Sequence, residues 1–240
     1  MVLRAKNHFL FRLQILGFFT AFCLHFAAFA QDVNPLIKKV KAKLDRVNDY
    51  VAEGKMKTDV AFIKAPVGDV RILYKRPDKF KLKRGNGIFL LPKGGVFINI
   101  NNIPGNGNYI AIASGESIVD GTKVKVLKLL PAVDNSDVVL TTLYIDEANL
   151  LIRKTSTTTK DNGTYEMEMT YGAYAQYGLP DKVIFYFNTK DFKLPKGVTM
   201  EFDSNNGETG TDKTQHKKGK IEIVYSSYVI NKGVADEEFR

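Results

Sequence analysis

A two-residue alternation of apolar and polar side chains runs through most of the chain after residue 54. It is clearest in YEMEMTY, where one side holds Tyr165, Met167, Met169 and Tyr171 and the other holds Glu166, Glu168 and Thr170. Similar runs are MKTDVAFI, GDVRILYKR, DKFKLKR, GIFLL, GVFINI, TKVKVLKL, VVLTTLYI, LLIRKTSTTT, KVIFYFN, VTMEF and KIEIVYSSYVI, with turn sequences such as KGG, VDG, KDNG and SNNG between them. Because successive side chains of a strand point to opposite faces, the pattern predicts about ten or eleven antiparallel strands.

One helix is predicted ahead of these strands. Asn34 can cap it, Pro35 suits its first position, and apolar residues recur at spacings of three and four, namely Leu36, Ile37, Val40, Leu44, Val47 and Val51. Gly54 is expected to end it. The lysines between form a basic face that we interpret as solvated, with an anionic membrane as the alternative. The fold class predicted is α+β, mainly β: a strongly curved antiparallel sheet or unclosed β-barrel with the helix against its concave side.

The first thirty residues have the features of a secretory signal peptide. Arg4, Lys6 and Arg12 form a positive start, residues 13–29 are almost wholly apolar, and Ala28-Phe29-Ala30 fits the cleavage rule. We therefore expect cleavage of residues 1–30 and export of residues 31–240 as a single domain. An uncleaved membrane anchor and a lipoprotein signal using Cys23 are the alternatives.

Removal of residues 1–30 argues against several classes of function. The formal charge falls from +9 to +6, because that segment carries three Lys/Arg and no acid, and the only cysteine is lost. His216 is then the one histidine, so disulfides, the usual Cys/His zinc site and a Ser-His-Asp mechanism are not expected. Glu166 and Glu168 alternate with apolar residues, so we interpret them as lying on the solvent-exposed face of a strand and not as a catalytic pair. The sequence predicts no enzyme, no cofactor, no metal and no nucleic-acid partner.

The face opposite the charged residues is rich in tyrosine, phenylalanine, valine and methionine. Met167, Met169 and Met200 adapt well to irregular apolar partners. Such a face forms either a core filled by the domain's own side chains or the lining of a ligand cavity. The alternation of side chains does not distinguish a self-filled core from a ligand cavity.

A short motif between two predicted strands carries a resemblance to a known family. Lys75-Arg76-Pro77-Asp78-Lys79-Phe80 resembles the Lys-Arg-Pro-x-x-Phe motif of the LolA/LolB-like outer-membrane lipoprotein-sorting proteins. The segments LIKKVKAKLDRVNDY, GIFLLPKGGVFINI, DGTKVKVLKLLP and YSSYVINKGVADEEF resemble other parts of that family. The resemblance implies an unclosed barrel with an apolar cavity under a helical lid. Since NNIPGNGNYIAIAS offers no inserted helical turns, the lid here would be the N-terminal helix plus loops.

The resemblance also implies a function. It implies a monomeric periplasmic carrier that binds the acyl chains of lipoproteins or lipids and delivers them towards the outer membrane. Its partners would be an inner-membrane lipoprotein-releasing transporter and an outer-membrane acceptor. In that picture, Arg76 would be the latch residue that holds the lid shut. The acyl-chain cavity would be lined by Val70, Ile72, Tyr74, Phe80, Leu82, Tyr165, Met167 and Met169. The alternatives are a periplasmic lipid- or lipoprotein-sensing module and a structural β domain with a self-filled core.

Overall fold

Eleven strands of the described residues form one antiparallel sheet. The structure is a computed structural model that describes residues 34–60, 63–64, 67–85, 109–132, 136–161, 163–188 and 218–240. The strands are β1 (Asp49–Val60), β2 (Ile63–Lys64), β3 (Gly68–Lys75), β4 (Lys79–Arg84), β5 (Tyr109–Val119), β6 (Thr122–Pro131), β7 (Val138–Asp146), β8 (Leu151–Thr159), β9 (Thr164–Thr170), β10 (Lys182–Asn188) and β11 (Lys218–Ile230). Their order is β4-β3-β1-β11-β10-β9-β8-β7-β6-β5, with β2 paired to β1.

Most of the predicted strand runs that fall in the described residues coincide with strands to within two residues at either end. The run MKTDVAFI does not, because it begins at Met56, well inside β1, and ends in β2. GIFLL, GVFINI and VTMEF lie outside the described residues, as do the segment 1–30, Met200 and His216. β5 and β4 are the two ends of the strand order, and no pairing joins them in the described part of the chain. The prediction of an unclosed antiparallel sheet with an N-terminal helix is confirmed.

Helix α1 (Asn34–Leu44) packs on the sheet through Ile37, Val40 and Leu44, all of which are buried. These side chains share one hydrophobic cluster with inward residues of β1, β3 and β6 to β11. The end of α1 reaches the turn between β3 and β4 and also the turn between β7 and β8, although these turns are several strands apart in the sheet. The sheet therefore curls around the helix, and the core lies on its concave side. Within the described ranges, no helix has both the length and the apolar character needed to cross a membrane.

The helix ends earlier than its apolar spacing predicts. Residues 45–48 form a turn and β1 begins at Asp49, so Val51 and Gly54 lie in a strand. Inward side chains alternate along β1, which pairs with β3 on one side and β11 on the other. Two strand partners fix these residues more firmly than one further turn of a short helix would. Gly54 sits at a β-bulge, where an added Cβ would lie 2.4 Å from the Val224 carbonyl oxygen.

The C-terminal segment crosses the outer side of β3 and β4. Lys75 Nζ donates to the Val234 carbonyl oxygen at 2.9 Å and to Asp236 Oδ1 at 2.7 Å, and Lys79 pairs with the other oxygen of Asp236. Lys83, further along β4, pairs with Glu238. Alternate lysines of the strands thus meet alternate acids of a short 3-10 helix, Asp236–Phe239.

Candidate functional site

The end of α1 is joined to the sheet by the side chain of Arg76. Arg76 Nη1 donates a hydrogen bond to the Asp45 carbonyl oxygen at 2.8 Å, and its Nη2 lies 3.7 Å from Asp45 Oδ1. The Arg76 backbone N–H donates to the Asn48 carbonyl oxygen at 2.8 Å. Because the last carbonyls of a helix lack partners within it, a guanidinium there satisfies an acceptor and complements the negative end of the helix.

A second contact holds the same helix end from the opposite side. Lys43 Nζ donates to the Asn149 carbonyl oxygen at 2.6 Å, in the turn between β7 and β8. Burial, together with the nearby Arg46 charge, lowers the pKa of Lys43. Asn149 is itself fixed by Asp146, which accepts from its backbone N–H and its side-chain amide. Sequence reasoning identified Arg76 but missed Lys43, since its acceptor is a backbone oxygen distant in sequence.

The turn that receives Lys43 is supported by a partly buried ion pair. Arg153 donates to Asp146 Oδ2 at 3.0 Å, and the Asp146 side chain is only 3% exposed. The Arg153 guanidinium lies over the Tyr171 ring, 5.6 Å from its centroid. Hydrogen bonds from Asn149 and Arg153 lower the pKa of Asp146, against a desolvation effect that acts in the raising direction. The β7–β8 turn is therefore a fixed anchor for α1.

All eight residues predicted to line an acyl-chain cavity face the concave side. Five of them are buried in the hydrophobic cluster, namely Val70, Ile72, Tyr74, Met167 and Met169, and three pack against it half-buried, namely Phe80, Leu82 and Tyr165. The packing between α1 and β8 and β9 leaves a void of about 10 Å³ next to Val40 and Met169. A void of that size holds at most a water molecule. The helix and the concave face are thus closely packed there.

Five tyrosines gather on the concave side near the end of α1. The ring of Tyr228 has its centroid 5.5 Å from Tyr50, 4.8 Å from Tyr174 and 5.1 Å from Tyr225, and Tyr50 lies 5.3 Å from Tyr74. Simple alternation would put Tyr225 and Tyr228 on opposite faces. The bulge in the β1–β11 pairing adds one residue between them and brings both rings inward.

Burial dominates the chemistry of this tyrosine cluster. It raises the pKa of Tyr74 to about 12 and raises the pKa of Tyr228 strongly. The Tyr228 hydroxyl donates to the Pro180 carbonyl oxygen at 2.8 Å. Neutral, packed tyrosines of this kind form a wall with few free polar groups, which suits an apolar neighbour better than a charged one.

A groove of about 780 Å³ opens on the other side of the same strands. Half of its lining residues are charged side chains that face outward, Lys55, Lys57, Arg71 and Glu222 among them, and Val70 is the one predicted cavity residue that it touches. The groove therefore does not correspond to the predicted apolar cavity.

Comparison with solved structures identifies the fold. A protein domain from Vibrio parahaemolyticus that is assigned to outer membrane lipoprotein sorting matches with a TM-score of 0.55 at 12% identity, over 86% of this chain and 95% of that one. A DUF1329 family protein from Desulfovibrio piger matches with a TM-score of 0.52 at 12% identity, over 88% and 98% of the two chains. A LolA superfamily protein from Nitrosomonas europaea has a TM-score of 0.49 at 11% identity, over 85% and 97%.

The sequence comparisons are negative. No protein-family model matches the chain, and no curated protein matches it in sequence. At about 12% identity the structural likeness identifies the architecture and not a ligand. The resemblance first indicated by Lys75-Arg76-Pro77 is confirmed at that level, and the protein has a LolA-like fold.

Proposed function

We propose that the protein is a periplasmic carrier that binds the acyl chains of lipoproteins or lipids on its concave face and delivers them towards the outer membrane. The observation that carries the proposal is the Arg76 contact. A single cationic side chain ties the β3–β4 turn to the end of the helix that covers an apolar layer. The lipoprotein-sorting assignment of one structural neighbour supports the same function by analogy.

Binding of an acyl chain between α1 and strands β8 and β9 requires the helix to move, because the packing there leaves a void of only about 10 Å³. The proposed latch is weak enough for this. Its side chain is 41% exposed, so the charged hydrogen bond contributes about 1 kcal/mol. Uncovering Ile37, Val40 and Leu44 costs roughly 5 to 9 kcal/mol at about 1.5 to 3 each. Burial of a sixteen-carbon acyl chain contributes about 12 kcal/mol of favourable free energy, so binding of the cargo offsets the cost of moving α1.

A structural β domain is the second candidate, and one observation favours it. The predicted cavity residues already contact one another and α1, as the residues of a self-filled core would. The two candidates differ in one respect. A carrier exchanges these internal contacts for contacts with an acyl chain, whereas a structural domain keeps them.

Native mass spectrometry of protein recovered from a bacterial periplasm tests the proposal. We would compare the wild type with Arg76→Leu and, as a matched control, with Arg71→Leu, since Arg71 lies on β3, is exposed and carries no ion pair in the described residues. Each protein would also be incubated with a lipid-acylated peptide. We expect acylated species on the wild type and on Arg71→Leu, and stronger retention on Arg76→Leu.

One result would overturn the carrier function, and another would overturn the role of Arg76 as its latch. If all three proteins are free of acylated species and none takes up the peptide, the self-filled domain is correct. If cargo is bound but Arg76→Leu and Arg71→Leu retain it equally, the protein is a carrier without a latch at Arg76.

A further inference from the structure

The outward face of α1 carries positive charge without acidic compensation. The helix holds four lysines and no acidic residue, and Arg46 follows it directly. Lys38, Lys39 and Arg46 are exposed, and their charged groups make no ion pair with any described side chain. We call these three residues the basic stripe. The acid nearest to it in the chain, Asp45, is already occupied by Lys41 and Arg76.

The structure fixes the direction in which the basic stripe points. The opposite face of α1 is buried through Ile37, Val40 and Leu44, so the helix cannot turn its apolar side outward while it stays packed. The contacts of Lys43 with Asn149 and of Arg76 with Asp45 hold it from two sides. The three cations are therefore presented to solvent on the side of α1 that faces away from the core.

We propose that the basic stripe docks the protein on a membrane surface that carries anionic phospholipid headgroups. Two of the three residues of the stripe are lysines, and Ala42 is the exposed residue between Lys39 and Arg46. A specific protein interface is centred on aromatic or well-packed apolar anchors, which the stripe lacks. A headgroup layer needs only positive charge at short range. Because the apolar face of α1 is used by the core, docking occurs by surface adsorption without insertion of the helix.

Docking in this way has a consequence for the other contacts of α1. Arg46 is adjacent to Asp45, whose carbonyl oxygen accepts the hydrogen bond from Arg76. A protein adsorbed through the basic stripe would therefore hold the end of α1 beside the membrane. The docking itself does not depend on what the protein carries, so it stands apart from the proposed carrier function.

Co-sedimentation with lipid vesicles tests the docking. The probes are phosphatidylcholine vesicles with and without phosphatidylglycerol, at low and at high salt. The test variant is Lys38→Gln with Lys39→Gln, and the control is Lys57→Gln with Lys128→Gln, two exposed lysines on outward positions of β1 and β6. Both double variants lose the same charge. Each lysine near an anionic membrane strengthens binding about fivefold, so we expect the test variant to bind roughly thirtyfold more weakly and the control to bind like the wild type. Added salt should weaken wild-type binding.

Each contrary outcome overturns the docking. Failure of the wild type to bind anionic vesicles, or equal binding to neutral ones, rules out a headgroup site. Equal weakening of both double variants shows that net charge alone decides binding. Capture of soluble polyglutamate in place of vesicles, weakened by the test variant, assigns the stripe to an acidic protein instead. Uptake of the acylated peptide, measured on the same proteins, reports on the carrier function separately.

Discussion

Arg76 Nη1 donates a 2.8 Å hydrogen bond to the carbonyl oxygen of Asp45, the residue that follows α1. The contact joins a turn of the sheet to the end of the covering helix across 31 positions of sequence. It is also half-exposed, so water competes for both groups. A contact of this strength biases the position of α1 and does not lock it.

Replacement of Arg76 by leucine should loosen α1 with little effect on global stability. Loss of about 1 kcal/mol at the helix end corresponds to roughly fivefold faster amide exchange if α1 opens locally. Hydrogen exchange of the α1 amides, followed by mass spectrometry, measures this directly. Arg71→Leu serves as the control. Unchanged exchange in α1 would show that the apolar face alone holds the helix.

Substitution of Gly54 by alanine should destabilise the whole domain. The added methyl group would lie 2.4 Å from the Val224 carbonyl oxygen, in a strand with neighbours on both sides, so the β1–β11 pairing must shift. We expect a loss of about 2 kcal/mol or more in the free energy of unfolding, measured by urea denaturation. Gly85→Ala is a milder comparison, because its Cβ would lie 3.3 Å from the nearest atom. Equal effects of the two substitutions would contradict this account.

The regular part of the fold was predictable from the sequence because alternation reports directly on the two faces of a strand. β9 shows this well, since Met167 and Met169 are buried while the glutamates beside them are half-exposed. β5 was not predicted as a strand. It turns alanine towards the core and leaves Ile110 and Ile112 exposed at 60% and 48%, so polarity does not alternate along it.

The candidate site was only partly predictable, for a different reason. Arg76 was identified through a motif, but its acceptor is a backbone oxygen whose position depends on where α1 ends. The apolar spacing continues to Val51, whereas the helix stops at Leu44. The inward position of Tyr225 also depends on the bulge, which exists only once β1 and β11 are paired. Long-range pairing of this kind leaves no local signal in the sequence.

Removal of the Tyr228 hydroxyl should destabilise the tyrosine cluster without creating a large cavity. In Tyr228→Phe the Pro180 carbonyl oxygen loses its donor in a buried setting, which costs about 1 to 2 kcal/mol. Tyr177→Phe is the matched control, since Tyr177 is half-buried and its hydroxyl makes no hydrogen bond to a described residue. Thermal denaturation of the two variants compares them. A melting temperature for Tyr228→Phe equal to that of the control would mean that water replaces the lost donor.

The attachment of the C-terminal segment to β3 and β4 should weaken in acid. Hydrogen bonds from Lys75 and Lys79 lower the pKa of Asp236 to about 2 from its ordinary 3.8. A carboxyl whose pKa is lowered in the folded state stabilises it fully above the unfolded pKa, and this contribution is lost as the pH falls from about 4 through about 2. Titration of the Asp236 carboxyl carbon by NMR gives its midpoint. In Lys75→Met with Lys79→Met the midpoint should rise towards 3.8, since both donors are gone. High salt should raise it partway in the wild type, because the pairs are exposed. An unchanged midpoint in the double variant would show that the lysines do not hold the segment, and that the packing of Val234, which is 5% exposed, does so alone.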